Sequence, residues 1–277
     1  MKLNLHSKEP DIPVPLYAIL VAYNHSLEKS PSYQALNKHK DIQLIVCDNS
    51  TNGVDIRSNV VEDGNIYISM HGNRGLSKAY NRALDQIQVE DPTLEGYVML
   101  FDDDTKISNQ YFEEVKKAIQ TKEADIYLPL VTDGHPEQGY LSPSILREPY
   151  VHRTKTPWLL KEQEICGINS GMLISLSLFK EYRYNEELFL DHVDHDFIRS
   201  MRKQKAIIKI LNAELNQDLS SFQTDGTKAI SRYDILKRDL NVFYKEGWKN
   251  RLYYYYVLFR RKGSIFMQTK DWRIWLH

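Results

Sequence analysis

The chain has only two cysteines, Cys47 and Cys166, far apart and without the spacing of metal ligands. One disulfide is open to them, but Cys47 falls in an apolar strand pattern, so two buried thiols are expected. No basic stretch followed by an apolar run opens the chain, so no signal peptide is expected. No apolar run reaches the ~18 residues that would suggest a membrane span. Charge of one sign is lacking too: 36 Lys plus Arg face 37 Asp plus Glu, for a formal charge of −1. That balance argues against a nucleic-acid binder working through a general positive field. Internal repeats and low-complexity tracts are also missing. What remains is the expectation of a soluble, cytoplasmic protein of 277 residues, long enough for one substantial core. The charge balance hides an asymmetry. The segment after Ser231 is rich in Arg, Lys and aromatics, while carboxylates concentrate in the middle.

What is present begins with apolar runs that do not alternate. Residues 16–23, 42–47, 65–70, 96–101 and 124–131 read as five strands, the third of them weaker. Continuous runs of this kind suit strands covered on both faces of a parallel sheet. Between them lie helical stripes: Leu76, Ala79, Tyr80, Ala83, Leu84 and Ile87, then Tyr111, Val115, Ala118 and Ile119. Strands alternating with helices predict an α/β sandwich with a mostly parallel central sheet. Residues 132–165, with Gly134, Pro136, Gly139, Pro143, Pro149 and Pro157, break the rhythm and read as a long loop of the kind used as a lid or binding loop. Regular structure is expected again at 168–174, and the pattern turns helical from Arg232.

Ligands of open parallel sheets bind beyond the carboxyl ends of the strands. Four of the expected strands end there in polar residues: Tyr23-Asn24, Asp48-Asn49-Ser50, His71-Gly72-Asn73 and Asp102-Asp103-Asp104. One polar end is only a turn; four suggest a shared site. Three adjacent carboxylates repel one another, and placing them under an apolar strand is costly without a cation. Hard oxygen ligands suit Mn2+ or Mg2+ shared with substrate phosphates. A solvated acidic turn is the plainer alternative. Further on, Asp191-His192-Val193-Asp194-His195-Asp196 packs three aspartates and two histidines into six residues. If a helix opens here, Asp191 and Asp194 share one face and His192 and His195 another. A general base near a substrate hydroxyl, a second metal site and an acidic helix start all remain open readings.

In order along the chain, Val21-Ala22-Tyr23-Asn24, Val46-Cys47-Asp48-Asn49-Ser50, Asn73-Arg74-Gly75 with Ala79 and Asn81, and Phe101 to Thr105 resemble glycosyltransferase family 2. Asn185-Glu186-Glu187-Leu188-Phe189 and Asp191-His192-Val193-Asp194 resemble its rhamnosyltransferase-like branch. The resemblance covers roughly residues 16–220. It implies a GT-A fold and inverting transfer from a dTDP- or UDP-sugar, of rhamnose or a hexose, to a glycan or lipid-linked acceptor in surface polysaccharide synthesis. It further implies that Asp48 meets the pyrimidine beside backbone near Tyr23 and Asn24. Asn73, Gly75 and Lys78 would lie along the ribose and diphosphate. Asp102 and Asp104 would form the DxD pair around Asp103, with Asp104 the direct metal ligand, and Asp194 would be the base. Family members often place a metal-site histidine after the strand that follows the base helix. This chain reads Leu215-Asn216-Gln217-Asp218-Leu219-Ser220 there, so Gln217 or Asp218 would have to substitute.

On the acceptor side, Trp158, Gly171, Asp191 and His192 are the candidates. The boundaries expected are a catalytic domain at 1–225, with a donor half at about 15–131 and an acceptor half at about 132–225, and a helical extension at 226–277. Within the extension, Tyr253 to Phe259 with Arg260, Arg261 and Lys262 would rest on an anionic membrane surface, pack on the catalytic domain, or join two copies in a homodimer.

Three rival readings fit the sequence less well. A haloacid-dehalogenase-type phosphatase wants Thr or Val two places after its second aspartate, where this chain has Lys106. A nucleotidyltransferase that forms nucleotide sugars wants a Gly-rich basic loop after its first strand, unlike Ala22-Tyr23-Asn24-His25-Ser26. A catalytically degenerate sugar-binding homologue has no need of the intact acidic triplet and Asp194.

Overall fold

The computed structural model describes residues 14–161, 164–217 and 226–277. Asp218, one of the two substitutes for the missing histidine, lies outside them. In chain order the elements are β1 (Leu16–Ala22), α1 (Pro31–Leu36), β2 (Gln43–Asp48), α2 (Arg57–Glu62), β3 (Ile66–Ser69) and α3 (Leu76–Glu90). There follow β4 (Tyr97–Asp102), β5 (Thr105–Ile107), α4 (Asn109–Thr121), β6 (Ile126–Thr132), β7 (Tyr140–Arg147) and β8 (Tyr150–Thr154). The rest are β9 (Ile165–Cys166), β10 (Leu173–Ser175), α5 (Val193–Lys203), β11 (Ile208–Gln217), α6 (Gly226–Phe243) and α7 (Trp248–Thr269).

The sheet runs β3-β2-β1-β4-β10-β6-β11-β5. β1, β2, β3 and β4 are mutually parallel, and β11 runs parallel to β6. β10 enters antiparallel between β4 and β6, and β5 is antiparallel to β11. Each of the five apolar runs forms its strand. The reason they do not alternate is visible in β1, where Tyr17, Ile19 and Val21 enter one core and Ala18, Leu20 and Ala22 the other. The first core is roofed by α3, α5, α6 and α7, the second by α1, α2 and α4. Burying side chains such as Ile19 and Leu20 completely contributes about 1.5–3 kcal/mol each.

Both helical stripes are buried as expected, apart from a partly buried Leu76, although each helix is longer than its stripe. α4 starts at a Ser108 cap whose hydroxyl accepts from Tyr111 N, and it ends at a left-handed Lys122. Three expectations need correction. Residues 132–165 are not a loop: β7 and β8 form a hairpin, β9 pairs with β7, and Trp158 sits on a short 3-10 turn. Regular structure resumes at Leu173 rather than 168, because the preceding turn carries a left-handed Gly171. The last helical region is already formed at Gly226, the first described residue after Gln217, ahead of Arg232. Cys47 and Cys166 are both free and buried, and burial pushes the Cys47 thiol up to about 12.

Candidate functional site

Strand register gathers the polar ends. Ala22 pairs with Asp48, Val21 with Asp102, and Asp48 with Ser69, so four carboxyl ends open on one edge, with the turn after β3 leading to Asn73. α1 holds the acidic turn from below. The Ser32 hydroxyl lies 2.6 Å from Asp102 O and accepts from Thr105 N at 3.0 Å, while Ser30 donates to Asp103 O at 2.7 Å. Neither serine stands out in the sequence, because Ser-Pro-Ser there reads as an ordinary helix start.

The triplet itself divides. Asp103 turns toward β1, accepting from Tyr23 N at 3.1 Å with His25 Nδ1 3.4 Å away. Asp102 points inward, where Ser170 Oγ at 3.1 Å and Gln217 Nε2 at 3.3 Å donate to it. Burial, then the charge of Asp104, push the Asp102 carboxyl up to about 7; Ser170 opposes them, and Asp103 and Asp194 add to them. Asp194, 92 positions further along at the start of α5, is the smallest of these influences.

Around the nucleotide-side candidates the hydrogen bonds are local and dense. Asp48 accepts from Tyr67 OH at 2.9 Å and Ser50 N at 3.0 Å. Asn24, at φ 57°, accepts from Thr51 N and Asn52 N and ties that loop to β1. Asn73 caps Gly75 N at 3.1 Å, and buried Asn49 bonds Arg74 N and Gly75 O. Gly75 is obligatory here. Its φ is +90°, and a Cβ would lie 2.6 Å from the Phe189 ring and carbonyl. Lys78 is exposed on the first turn of α3.

The Asp/His cluster does not open a helix at Asp191. α5 begins at Val193, with His192 as a left-handed cap. Asp191 and His192 therefore lie outside the helix, so Asp191 and Asp194 do not share a helix face, while His192 and His195 still meet edge to face with ring centroids 5.1 Å apart. Asp191 takes a two-armed ion pair from Arg232, and His192 packs its ring 4.7 Å from Phe243. Burial, with the charges of His195, Arg199 and Arg232, lowers His192 to about 3, so it is neutral. His195 behaves oppositely. Burial disfavours its charge, but Asp194 foremost, then Cys166 and Glu148, push it up to about 10. Asp194 accepts from His195 N at 2.7 Å and lies 3.9 Å from its Nε2. Of the other acceptor-side candidates, Trp158 is exposed. Gly171 is wedged between strands, where a Cβ would lie 2.2 Å from Leu215.

The fit of a divalent cation can be judged from the groups present. Among the described residues no cluster of three His, Cys, Asp or Glu side chains forms a metal cage. Mg2+ and Mn2+ bound with phosphates usually need only one or two protein carboxylates. Asp102 and Asp104 are two such carboxylates: burial first, then the charge of Asp104, raises Asp102, and a cation would relieve it. Among the described residues, Gln217 Oε1 is buried without a partner, and Tyr80 OH is likewise buried and unpaired in reach of the Asp102 and Asp194 charges. Tyr80 was legible in the sequence only as part of an apolar stripe.

Comparison with known proteins follows the same lines. Over 189 residues the chain is 25% identical to "dTDP-rhamnosyl transferase RfbF" of Shigella flexneri, covering 66% of this chain and 61% of that protein's length. In fold it is similar to S. aureus TarS 1-349, with TM-score 0.50, 17% identity, and 81% of this chain and 64% of that one covered. It is also similar to glucosyl-3-phosphoglycerate synthase from Mycobacterium tuberculosis, solved with Mn2+, UDP and phosphoglyceric acid. There the TM-score is 0.51 at 14% identity, over 82% of this chain and 78% of that one. The family described as Glycosyl transferase family 2 matches residues 18–207, more than half of the chain. With that match the GT-A architecture, the gathered strand ends and the acidic turn agree, and the chain belongs to glycosyl transferase family 2.

Proposed function

We propose that the chain is a metal-assisted, inverting glycosyltransferase. It takes rhamnose or a hexose from a dTDP- or UDP-sugar and delivers it to a hydroxyl of a glycan or lipid-linked acceptor of a surface polysaccharide. The observation that carries this reading is the gathering of the carboxyl ends of β1, β2 and β4, with Asp48 and Asp102 on them, in a chain of this family; the roles are divided between Asp102, at the end of β4, and Asp194, at the start of α5. One serves the departing diphosphate and the other the incoming hydroxyl.

In this reading Asp48 receives the pyrimidine N–H. A carboxylate offers about four lone-pair directions, so its bonds to Tyr67 and Ser50 leave room for one more. Backbone near Tyr23 and Asn24 borders the base, and Asn73, Gly75 and Lys78 line the ribose and diphosphate. Asp102 and Asp104 would hold Mn2+ or Mg2+, with Gln217 beside them, and the cation would offset charge on the leaving diphosphate. Asp103 steadies Tyr23. As the acceptor oxygen bonds to the anomeric carbon, its proton passes to Asp194 and the bond from sugar to diphosphate breaks on the opposite face. Configuration inverts in one displacement. His195 stands beside that carboxylate, its Nε2 3.9 Å from Asp194. Trp158, Gly171, Asp191 and His192 border the acceptor side.

The chain divides, on this view, into a donor half at about 15–131, an acceptor half at about 132–225 and a C-terminal helical pair. α7 sends Tyr254, Leu258 and Ile265 into the core and turns Trp248, Leu252, Tyr255 and Phe259 outward. From Trp248 to His277 there are seven Lys or Arg and one carboxylate, Asp271. An exposed aromatic stripe in such a field fits the inner, anionic face of a plasma membrane, where lipid-linked acceptors reside. Among the described residues no helix is long and apolar enough to cross a membrane. A homodimer through this face is the competing use of the same stripe.

Asp194→Asn tests the reading. Transfer should fall by about 10²–10⁴-fold, the usual contribution of a general base, while nucleotide binding is kept. Undiminished turnover would remove Asp194 from the base role.

A further inference from the structure

The segment Phe189–Asp191 is irregular and lies just ahead of Asp194, so its backbone N–H groups have no strand or helix to bond. Buried N–H groups must find partners elsewhere. Here they find one side chain, Asp239 of α6, which is fully buried. Its Oδ1 accepts from Phe189 N at 3.0 Å, and its Oδ2 accepts from Leu190 N and Asp191 N, both at 2.8 Å. A buried carboxylate is costly unless its lone pairs are filled, and three charge-assisted bonds fill them. α6 adds two more grips. Arg232 forks onto Asp191, and the Arg238 guanidinium lies 4.5 Å from the centre of the Phe189 ring.

The other side of the segment touches the donor half. Phe189 O accepts from Leu76 N at 2.6 Å, and Gly75 leaves no space between them for a side chain. The segment is thus clamped between the start of α3 and the middle of α6.

We propose that Asp239 is a positioning residue for Asp194. By fixing Phe189–Asp191 against α3, it holds the start of α5 facing the end of β4, and so makes the C-terminal helices a working part of the catalytic unit. The functional half of this proposal rests on Asp194 being the base; the clamp itself does not.

The test uses the full chain and Asp239→Asn, which keeps the volume but turns an amide toward N–H donors. Amide hydrogen exchange at 189–196 should speed up by at least about tenfold, the scale of one lost charge-assisted bond. The affinity for UDP or dTDP and the donor KM should hold, while kcat drops by at least about tenfold. A structural role alone would lower kcat and nucleotide affinity together. Unchanged exchange at 189–196 in a folded variant overturns the clamp whether or not sugar transfer is detected. Faster exchange with a wild-type kcat overturns the link to Asp194. If Asp239→Asn does not fold, Arg232→Gln, at a half-exposed site, decides by the same measurements: a smaller change in the same direction supports the proposal, and none overturns it. A wild-type chain that turns over no nucleotide sugar would sink the proposed function and leave the exchange result to decide the clamp.

Discussion

Adding a methyl group at Gly75 brings two penalties together. The backbone there is at φ +90°, and the new Cβ meets Phe189 at 2.6 Å, partly against its backbone carbonyl, which cannot swing away. Strain of this kind costs about 1–3 kcal/mol, and overpacking a similar amount. Gly75→Ala should therefore lower the urea midpoint and weaken nucleotide binding in step; a neutral outcome would mean that Phe189 yields. His195 offers a test by pH. Its folded value near 10 stands above the ordinary 6.5, so its contribution to stability is complete below about 6.5 and is lost as pH rises toward 10. Wild-type stability should fall more steeply across that window than that of His195→Gln. Parallel curves would show that no charged imidazole sits beside Asp194.

At the scale of elements, α7 carries a prediction of its own. The chain should sediment with vesicles containing an anionic phospholipid, not with neutral ones, and salt should release it. Trp248→Glu with Phe259→Glu should abolish that binding without loss of fold, since both side chains are exposed. Concentration-dependent dimers with no vesicle binding would assign the stripe to a second copy. Elements also show how much the sequence discloses. β1, β2 and β4 were legible because burial on both faces writes itself as an unbroken apolar run, and Asp102 to Asp104 follow one directly. The β7–β8 hairpin was hidden by Pro143 and Pro149, whose signal is that of a loop. β10 is three residues long, too short for any period to appear. The start of α5 was misread because nothing local announces that His192 adopts a left-handed backbone.

On the whole-molecule scale, the site is an agreement between distant parts of the chain. The turns proposed to hold the donor come from the first half, Asp194 from the second, and Asp239 from a helix that follows both. Ser30, Ser32, Ser170 and Asp239 were silent in the sequence because each acts on a residue 48 to 73 positions away. By contrast, Tyr23-Asn24, Asp48 to Ser50 and Asp102 to Asp104 were legible as polar strand ends, since each follows an unbroken apolar run. The central claim is that these parts assemble a nucleotide-diphosphate site that works with a metal. Thermal unfolding tests it most directly, with UDP, dTDP and GDP each offered with Mn2+, with Mg2+ and with EDTA. At ~100 times its dissociation constant a ligand adds about 2.7 kcal/mol of stability. The account predicts that a pyrimidine diphosphate stabilises the chain with Mn2+ or Mg2+ and much less with EDTA. No shift with any nucleotide, with or without metal, would contradict it.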